Sequence, residues 1–354
     1  MDILRELWSV GHGGFITEKF LRGGDSRVFT VVYDCGSKRQ DSIEKAIDQS
    51  FEKDEVIDLV CLSHFHADHI NGVLHLLGHT RVKSMMVPEF NHETLLGDYV
   101  VAAVSRAGAF NPLYPALIFL RALAEPQYGD FELPHIVSLS PDQADNPEAA
   151  IELSAMPSLG KIYSGTQIWT DSRWLYLPYN IKMDDTLSED VLRYLKKKLG
   201  LKQTLSIWEI NSALADEQIF NDVQRFYRKR LKDANHSSMV LYSGRPYPLE
   251  KSWDNALYMG DYNANVRNVD ELRRVMNKRF DRIGLIQVPH HGSIHNYSKQ
   301  SSLYDNGVIA VTFANEDSST HPAQIIVDDI VRHYGISMKV TYSEYTKQQF
   351  LISI

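Results

Sequence analysis

The chain has 354 residues, 44% of them hydrophobic, with 37 Lys and Arg against 45 Asp and Glu for a net charge of -8. That length buries one large core, as one domain with a sizeable insertion or as two domains, and the negative charge excludes a whole-protein attraction to nucleic acid or anionic membrane, so any polyanion has to be held by a local patch. Charges in Met1-Asp2-Ile3-Leu4-Arg5-Glu6 stand where a secretory signal has its apolar run, and no uncharged apolar stretch of about 18 residues follows, so a cytoplasmic protein without a membrane segment is expected. Only Cys35 and Cys61 occur, each inside an apolar run, which excludes a disulfide framework and predicts buried free thiols.

In chain order, apolar strands are predicted over Leu7–Val10, Val28–Tyr33 and Val56–Leu62, each followed at once by polar, Gly-bearing or His-bearing residues. In open sheets covered by helices, ligands gather at such carboxyl ends of strands. The pattern turns helical from Asn91 to about Gln127 and returns to strand at Ile136–Leu139, Ile151–Ala155 and Trp174–Leu177. Two charged amphipathic helices follow: Asp184–Leu199, opened by its capping residues, and Glu217–Ala234, rich in Arg and Lys. Strands resume at Ser238–Tyr242, Ala256–Met259, Leu285–Val288, Val308–Phe313, Met338–Tyr342 and Phe350–Ile352, with one helix over Val269–Phe280 and another after Pro322. No repeat, low-complexity tract or Pro-rich linker marks a boundary. Strands and helices alternating at both ends of a helical middle predict an α/β sandwich, one domain over 1–354, with an insertion-bearing, partly helical region at about 83–234.

The sharpest chemical signal is Leu59-Val60-Cys61-Leu62-Ser63-His64-Phe65-His66-Ala67-Asp68-His69, an apolar strand running straight into His and Asp. His64 and His66, two apart at a strand end, can point the same way and grip one ion, and Asp68 and His69 can turn toward a second. Imidazole and carboxylate ligands suit Zn²⁺, with Mn²⁺ or Fe as substitutes. Two ions need further ligands, and three other strand ends offer them: Gly260-Asp261, whose carboxylate can bridge both ions; Val288-Pro289-His290-His291-Gly292-Ser293; and Asn235-His236. His321, after the strand Val308–Phe313, reaches the same end as a candidate proton donor, and His12 is a candidate substrate contact in a Gly-rich turn. Histidines 75, 79, 92, 135, 295 and 333 show no partnering pattern and read as structural or solvent-facing. Basic clusters, Lys196-Lys197-Lys198 and then Arg225, Arg228, Lys229, Arg230 and Lys232, guide a phosphate backbone or form a solvated helix face. Ser293, Arg228, Lys229 and Lys232 are the substrate-binding candidates.

These residues resemble the metallo-beta-lactamase superfamily, whose signature His-x-His-x-Asp-His is complete at His64–His69. Together with Val10-Gly11-His12-Gly13-Gly14-Phe15, Val31-Val32-Tyr33-Asp34-Cys35-Gly36, Asn235-His236-Ser237-Ser238, Tyr258-Met259-Gly260-Asp261 and Val288–Ser293, the chain is similar from about Leu7 to about His333 to the soluble hydrolase domain of the DNA-uptake competence protein ComEC. The resemblance implies an αββα sandwich with a helical insertion and a hydrolase that uses two divalent metal ions, Zn²⁺ first and Mn²⁺ as the alternative. It implies that His64, His66 and one of Asn235 and His236, with His236 favoured, hold one ion. Asp68, His69 and one of His290 and His291 hold the other; His291 is favoured there, which leaves His290 to contact substrate or donate a proton. Asp261 lies between the ions. Asp34 and Asn235 orient ligands through hydrogen bonds, and Asp68, His290 and His321 form the catalytic set. His66 stands where ComEC-like domains usually carry Asp, and the insertion is longer than in that family. The implied chemistry is attack on a phosphodiester by a water that two cations have acidified, with His290 or His321 protonating the departing oxygen and a nucleic acid or nucleotide as substrate. The alternatives are hydrolysis of thioesters, lactones or lactams, or a metal-binding regulatory protein without turnover.

Overall fold

Along Asp2–Leu7, Ile3, Arg5 and Leu7 point inward, the period-two burial that makes this segment a strand, β1. The computed structural model describes residues 1–22, 26–105, 110–126, 132–143, 150–171, 173–181, 187–230, 238–305 and 307–354. After β1 come β2 (Gly13–Arg22), β3 (Ser26–Ser37), α1 (Gln40–Ser50), β4 (Val56–Cys61), α2 (Ala67–Ile70), α3 (Val73–His79), β5 (Arg81–Pro88), α4 (His92–Val104), α5 (Pro115–Ala124), β6 (His135–Gln143) and β7 (Ala150–Glu152). Then follow β8 (Lys161–Ser164), β9 (Gln167–Asp171), β10 (Trp174–Tyr179), α6 (Leu187–Leu199), α7 (Ile207–Leu214), α8 (Glu217–Arg230), β11 (Val240–Gly244) and β12 (Ser252–Tyr258). The last are α9 (Val266–Met276), β13 (Ile283–Gln287), β14 (Ile309–Phe313), α10 (Gln324–Arg332), β15 (Ile336–Val340) and β16 (Gln348–Ser353).

One sheet has the order β16-β1-β2-β3-β4-β5-β6-β8 and the other β15-β14-β13-β12-β11-β10-β9-β7. Strands β3 to β6 run parallel, as do β12 to β15, and parallel neighbours need a crossover. Helices α1, α3, α9 and α10 lie in four of those crossovers. Val31, Tyr33 and Leu59 of the first sheet meet Leu241, Tyr258 and Leu285 of the second in one core, which Ile43 and Ile47 of α1 and Leu76 of α3 join. A second core packs Leu177, Leu257 and Ile286 against Leu272 of α9 and Ile330 of α10. The architecture is an αββα sandwich. Its parallel strands bring the ends of β3, β4, β12, β13 and β14 together along one edge.

The expected strand at Leu7–Val10 sits earlier, at Asp2–Leu7. The Val10 N–H donates to the Trp8 carbonyl at 2.8 Å and Gly11 has φ +62°, so Trp8–Gly11 turns tightly and its apolar residues are buried by packing of the turn. The helical stretch from Asn91 divides into α4, opened by a reciprocal Asn91–Thr94 cap, and α5, opened by Pro115. The region 83–234 supplies β6 and β8 to one sheet and β7, β9 and β10 to the other, while α4, α6 and α8 pack on one another. Among the described residues no helix is long and apolar enough to cross a membrane.

Between the sheets a full charge is buried. The Arg5 Nε donates to Glu18 Oε1 at 2.7 Å, and its two terminal nitrogens donate to the carbonyls of Trp253 and Asp254 at 2.8 Å. Glu18 also accepts from the Tyr176, Tyr258 and Ser243 hydroxyls of the opposite sheet. Burial opposes ionisation of Glu18, but Arg5 and then the Tyr176 and Tyr258 hydroxyls hold its carboxyl below the usual range. A depressed carboxylate pKa contributes stability that is present above the unfolded value, near 4.5, and is lost as pH falls through the lower folded value. Glu18→Gln leaves Arg5 buried without its counter-charge and should destabilise the fold by about 3–5 kcal/mol in urea unfolding, and the variant should also lose part of the wild-type acid sensitivity.

Candidate metal centre

Asp34 sits at the end of β3 with φ +55°, a conformation Asp adopts more readily than most residues. Its Oδ1 accepts the Ser63 N–H at 2.7 Å, and its Oδ2 accepts the Ser63 hydroxyl at 2.9 Å and lies 2.8 Å from His69 Nδ1. A carboxylate accepts, so His69 carries its proton on Nδ1. The Ser63 hydroxyl is committed to Asp34, so it accepts from His64 Nδ1, 2.9 Å away. In the neutral form of each ring the Nε2 atom is therefore the bare one, and it faces inward. The approach of β3 to α2 requires Gly36, since a Cβ there would stand 2.5 Å from the Asp68 backbone.

From the other sheet, Gln287 Oε1 accepts the Met259 and Gly260 N–H groups at 2.9 and 3.2 Å, and the Asp261 N–H donates to Ser238 Oγ at 3.1 Å. Gly260, at φ +49°, admits no Cβ because Ser63 and Ser238 crowd it at 2.5 Å. The His290 N–H donates to the Gly260 carbonyl at 2.8 Å. His290 and His291 both have positive φ, 48° and 54°, a strain of about 1 kcal/mol or more each. The turn so formed aims both rings at Asp261. His291 Nδ1 donates to the Phe313 carbonyl at 2.9 Å, which leaves its Nε2 bare as well.

The two oxygens of Asp261 divide these donors. Oδ1 faces His69 Nε2 at 3.3 Å and His291 Nε2 at 3.6 Å; Oδ2 faces His64 Nε2 at 3.5 Å, His66 Nδ1 at 3.7 Å and His290 Nε2 at 3.9 Å. Asp68 Oδ2 stands 3.5 Å from His291 Nε2. Such separations are long for hydrogen bonds, but two ligands of one tetrahedral ion at ~2.1 Å stand about 3.4 Å apart. The Nε2 atoms of His64, His69 and His291 and the Oδ1 of Asp261 are buried without a hydrogen-bond partner. The donor set fits a divalent cation. Burial, followed by the neighbouring charges of His69 and His66, pushes His64 down to about 4. Against the effect of burial, His291 and His69 hold the Asp68 carboxyl well below its usual range, and His290, His69 and His64 do the same for Asp261. His69 moves the other way: burial is overcome by Asp34 and Asp261, so it holds a proton that a metal ion would displace.

His12 lies against His291 with ring centroids 3.8 Å apart and planes tilted by 37°, and His321 meets His12 edge-on at 5.4 Å. Burial first, then His291 and Lys38, push His12 down to about 2 and His321 to about 4. Lys38 is exposed at this rim. Ser293, expected to contact substrate, is buried, and its Oγ accepts the His295 N–H at 3.4 Å. Arg228 and Lys229 are exposed in the last turn of α8. Beside them Tyr227 is pushed up to about 12, by burial and then by Asp68 and Asp261, so that turn lies within electrostatic reach of the cluster. Lys232, Asn235 and His236 lie outside the described residues. Much of the basic clustering is internally paired: Lys196 with Glu93 at 2.7 Å, Lys198 with Asp222 at 2.6 Å, Arg225 with Asp222 and Arg230 with Asp190. Those four cations tie helices or hold acidic partners rather than standing ready for a phosphate backbone. Ser63, Gln287 and Lys38 were not legible as site residues, since their roles arise from contacts across strand ends.

Two helix-flanked sheets with imidazoles and carboxylates converging at one edge define an α/β sandwich whose clustered His and Asp side chains could hold a metal ion. Residues 25–148 match the family model of the Metallo-beta-lactamase superfamily, whose members are mostly metal-dependent hydrolases that commonly bind divalent ions, often zinc. The matched span holds Asp34 and His64–His69, while Asp261 and His291 lie beyond it. The match is to the superfamily model over that span and does not distinguish the ComEC branch. No curated protein matches the chain. Asp34→Asn, which suits the same backbone, should weaken Zn²⁺ binding about 10–100-fold in competition with a chromogenic chelator and leave the circular dichroism spectrum unchanged.

Proposed function

We propose that the protein is a dinuclear metal-dependent hydrolase of phosphodiesters, with a nucleic acid or nucleotide as substrate. The observation that carries this reading is Asp261, whose two oxygens each face their own set of imidazoles, bare nitrogens among them. His64, His66 and His290 would hold one ion and Asp68, His69 and His291 the other, with His236 a further candidate for the first. Two ions held there, Zn²⁺ or Mn²⁺, would supply an acidified water and a polarised substrate oxygen.

The chain's own residues do the rest. Asp34, directly and through Ser63, keeps the His69 and His64 nitrogens turned inward. Burial, then His291 and Lys38, push His321 down to about 4, so its ring is mostly neutral at pH 7. It therefore orients a substrate oxygen by a neutral hydrogen bond and does not store the proton for the leaving group, and burial argues the same for His290. Lys38 is exposed beside His12, and Arg228 and Lys229 are exposed in the last turn of α8, positive charge on an otherwise acidic protein that favours a phosphate over an uncharged acyl group. Likeness of the Val288–Ser293 run to ComEC-like hydrolase domains supports the same substrate class. The proposal takes 1–354 as one unit, because β16 closes the sheet that β1 begins and the 83–234 region adds strands to both sheets.

With Zn²⁺ or Mn²⁺ supplied, the protein should hydrolyse bis-p-nitrophenyl phosphate and at least one of single-stranded DNA, double-stranded DNA and RNA. Asp68→Ala should lower the rate by about 100-fold or more. Turnover of a thioester or lactam in place of these would overturn the substrate class, and two bound ions with no turnover at all would overturn the hydrolase. Lys38→Ala should raise KM for a phosphodiester by about 3- to 10-fold with kcat little changed, and added salt should shrink that difference.

A further inference from the structure

Helix α3 leaves the metal-binding loop and ends at His79, beside the end of α1. His75 and His79 are four residues apart, so they share a face, and their rings stack with centroids 6.0 Å apart and planes 10° apart. From α1, Asp48 Oδ1 reaches His75 Nε2 at 2.7 Å and His79 Nδ1 at 3.5 Å. The sequence showed no partner for either histidine, because Asp48 belongs to another helix. His79 Nε2 donates to the Phe51 carbonyl at 2.9 Å, so its Nδ1 presents a lone pair toward Asp48. A carbonyl that orients the far nitrogen of a ring is the usual support of a metal-binding imidazole. One donor atom from each of the three side chains lies within 4.8 Å of the others. The carbonyl ends of α1 and α3 converge here, and their dipoles favour a cation.

We propose that Asp48, His75 and His79 form a second, peripheral site for one divalent transition-metal ion of the Zn²⁺ class, separate from the cluster around Asp261. Two imidazoles and a carboxylate supply three ligands, and the partial exposure of all three side chains leaves water to complete the shell. The ion displaces the proton shared between His75 and Asp48 and clips α1 to α3, which bracket the loop His64–His69. The inference does not depend on the catalytic reading, since none of its residues touches the central cluster.

The test is to load wild type, His75→Ala and Asp48→Asn with Zn²⁺ alone, dialyse, and count metal per chain. Each variant should hold one equivalent fewer than wild type, with the weakest Zn²⁺ step lost or weakened more than about 100-fold in chelator competition. Asp261→Asn should leave that step in place while it depletes the central ions. A Zn²⁺-soaked crystal should show an anomalous peak among the three side chains. Equal metal content and unchanged affinity in both surface variants, or no peak there when the central site is occupied, would overturn the proposal. Both variants replace partly exposed residues, and their urea midpoints in the absence of metal should match wild type to within the error of the measurement.

Discussion

The carboxylate of Asp34 sets the state of the centre. Within hydrogen-bond reach of its two oxygens lie a backbone amide, a hydroxyl and an imidazole, and through Ser63 its influence extends to His64. Each of these bonds decides which nitrogen of a ring carries the proton, and so which nitrogen is bare. Without that anchor the two histidines could turn their protonated nitrogens inward and repel a cation. The arrangement depends on β3 and β4 being parallel neighbours, since only then do Asp34 and Ser63 emerge side by side.

The other half of the donor set belongs to the second sheet, so the centre exists only when the two sheets are packed. Several polar links stitch them together near the site: the Tyr33 hydroxyl donates to the Met239 carbonyl at 2.6 Å, and the Met239 N–H donates to the Ser63 carbonyl at 2.7 Å. Farther from it, the buried Arg5–Glu18 pair is met by hydroxyls from β10, β11 and β12. Charge buried at such an interface stabilises little by itself, but it penalises any packing that leaves it unmatched. Because the candidate donors come from both sheets, metal binding there would be coupled to folding, since the unfolded chain cannot present them together.

Some elements were legible from local pattern and others were not. The carboxyl halves of β4 and β12 and the whole of β13 are buried on both faces, so they read as apolar runs that give way within a few residues to Gly, His or Asp. Strand β2 hides Thr17, Glu18 and Lys19 in its interior, and their partners sit on other strands, on Trp8 in the turn after β1 or, for Lys19, on the Ser50 carbonyl. Nothing local marks such a run as a buried strand. Helix α1 opens without a side-chain cap. The basic run of α6 and α8 looked available to a polyanion because the acids that pair with it, Glu93, Asp190 and Asp222, lie on other turns or other helices.

What the amino-acid order determined alone is the kind of chemistry: His-x-His-x-Asp-His at the end of an apolar strand, with Gly-Asp and His-His-Gly at the ends of others, is a supply of imidazole and carboxylate ligands in any fold that brings strand ends together. Only the tertiary structure decided how they divide, with His290 beside His64 and His66 on one oxygen of Asp261 and His291 beside His69 on the other. It also decided that His75 and His79 meet Asp48. The reason is geometric: spacing along one strand or helix fixes neighbours within a few residues, whereas an ion is held by atoms a few ångströms apart whose residues are up to more than 200 positions apart in the chain. Those distances follow from sheet register and helix packing, which no local pattern encodes.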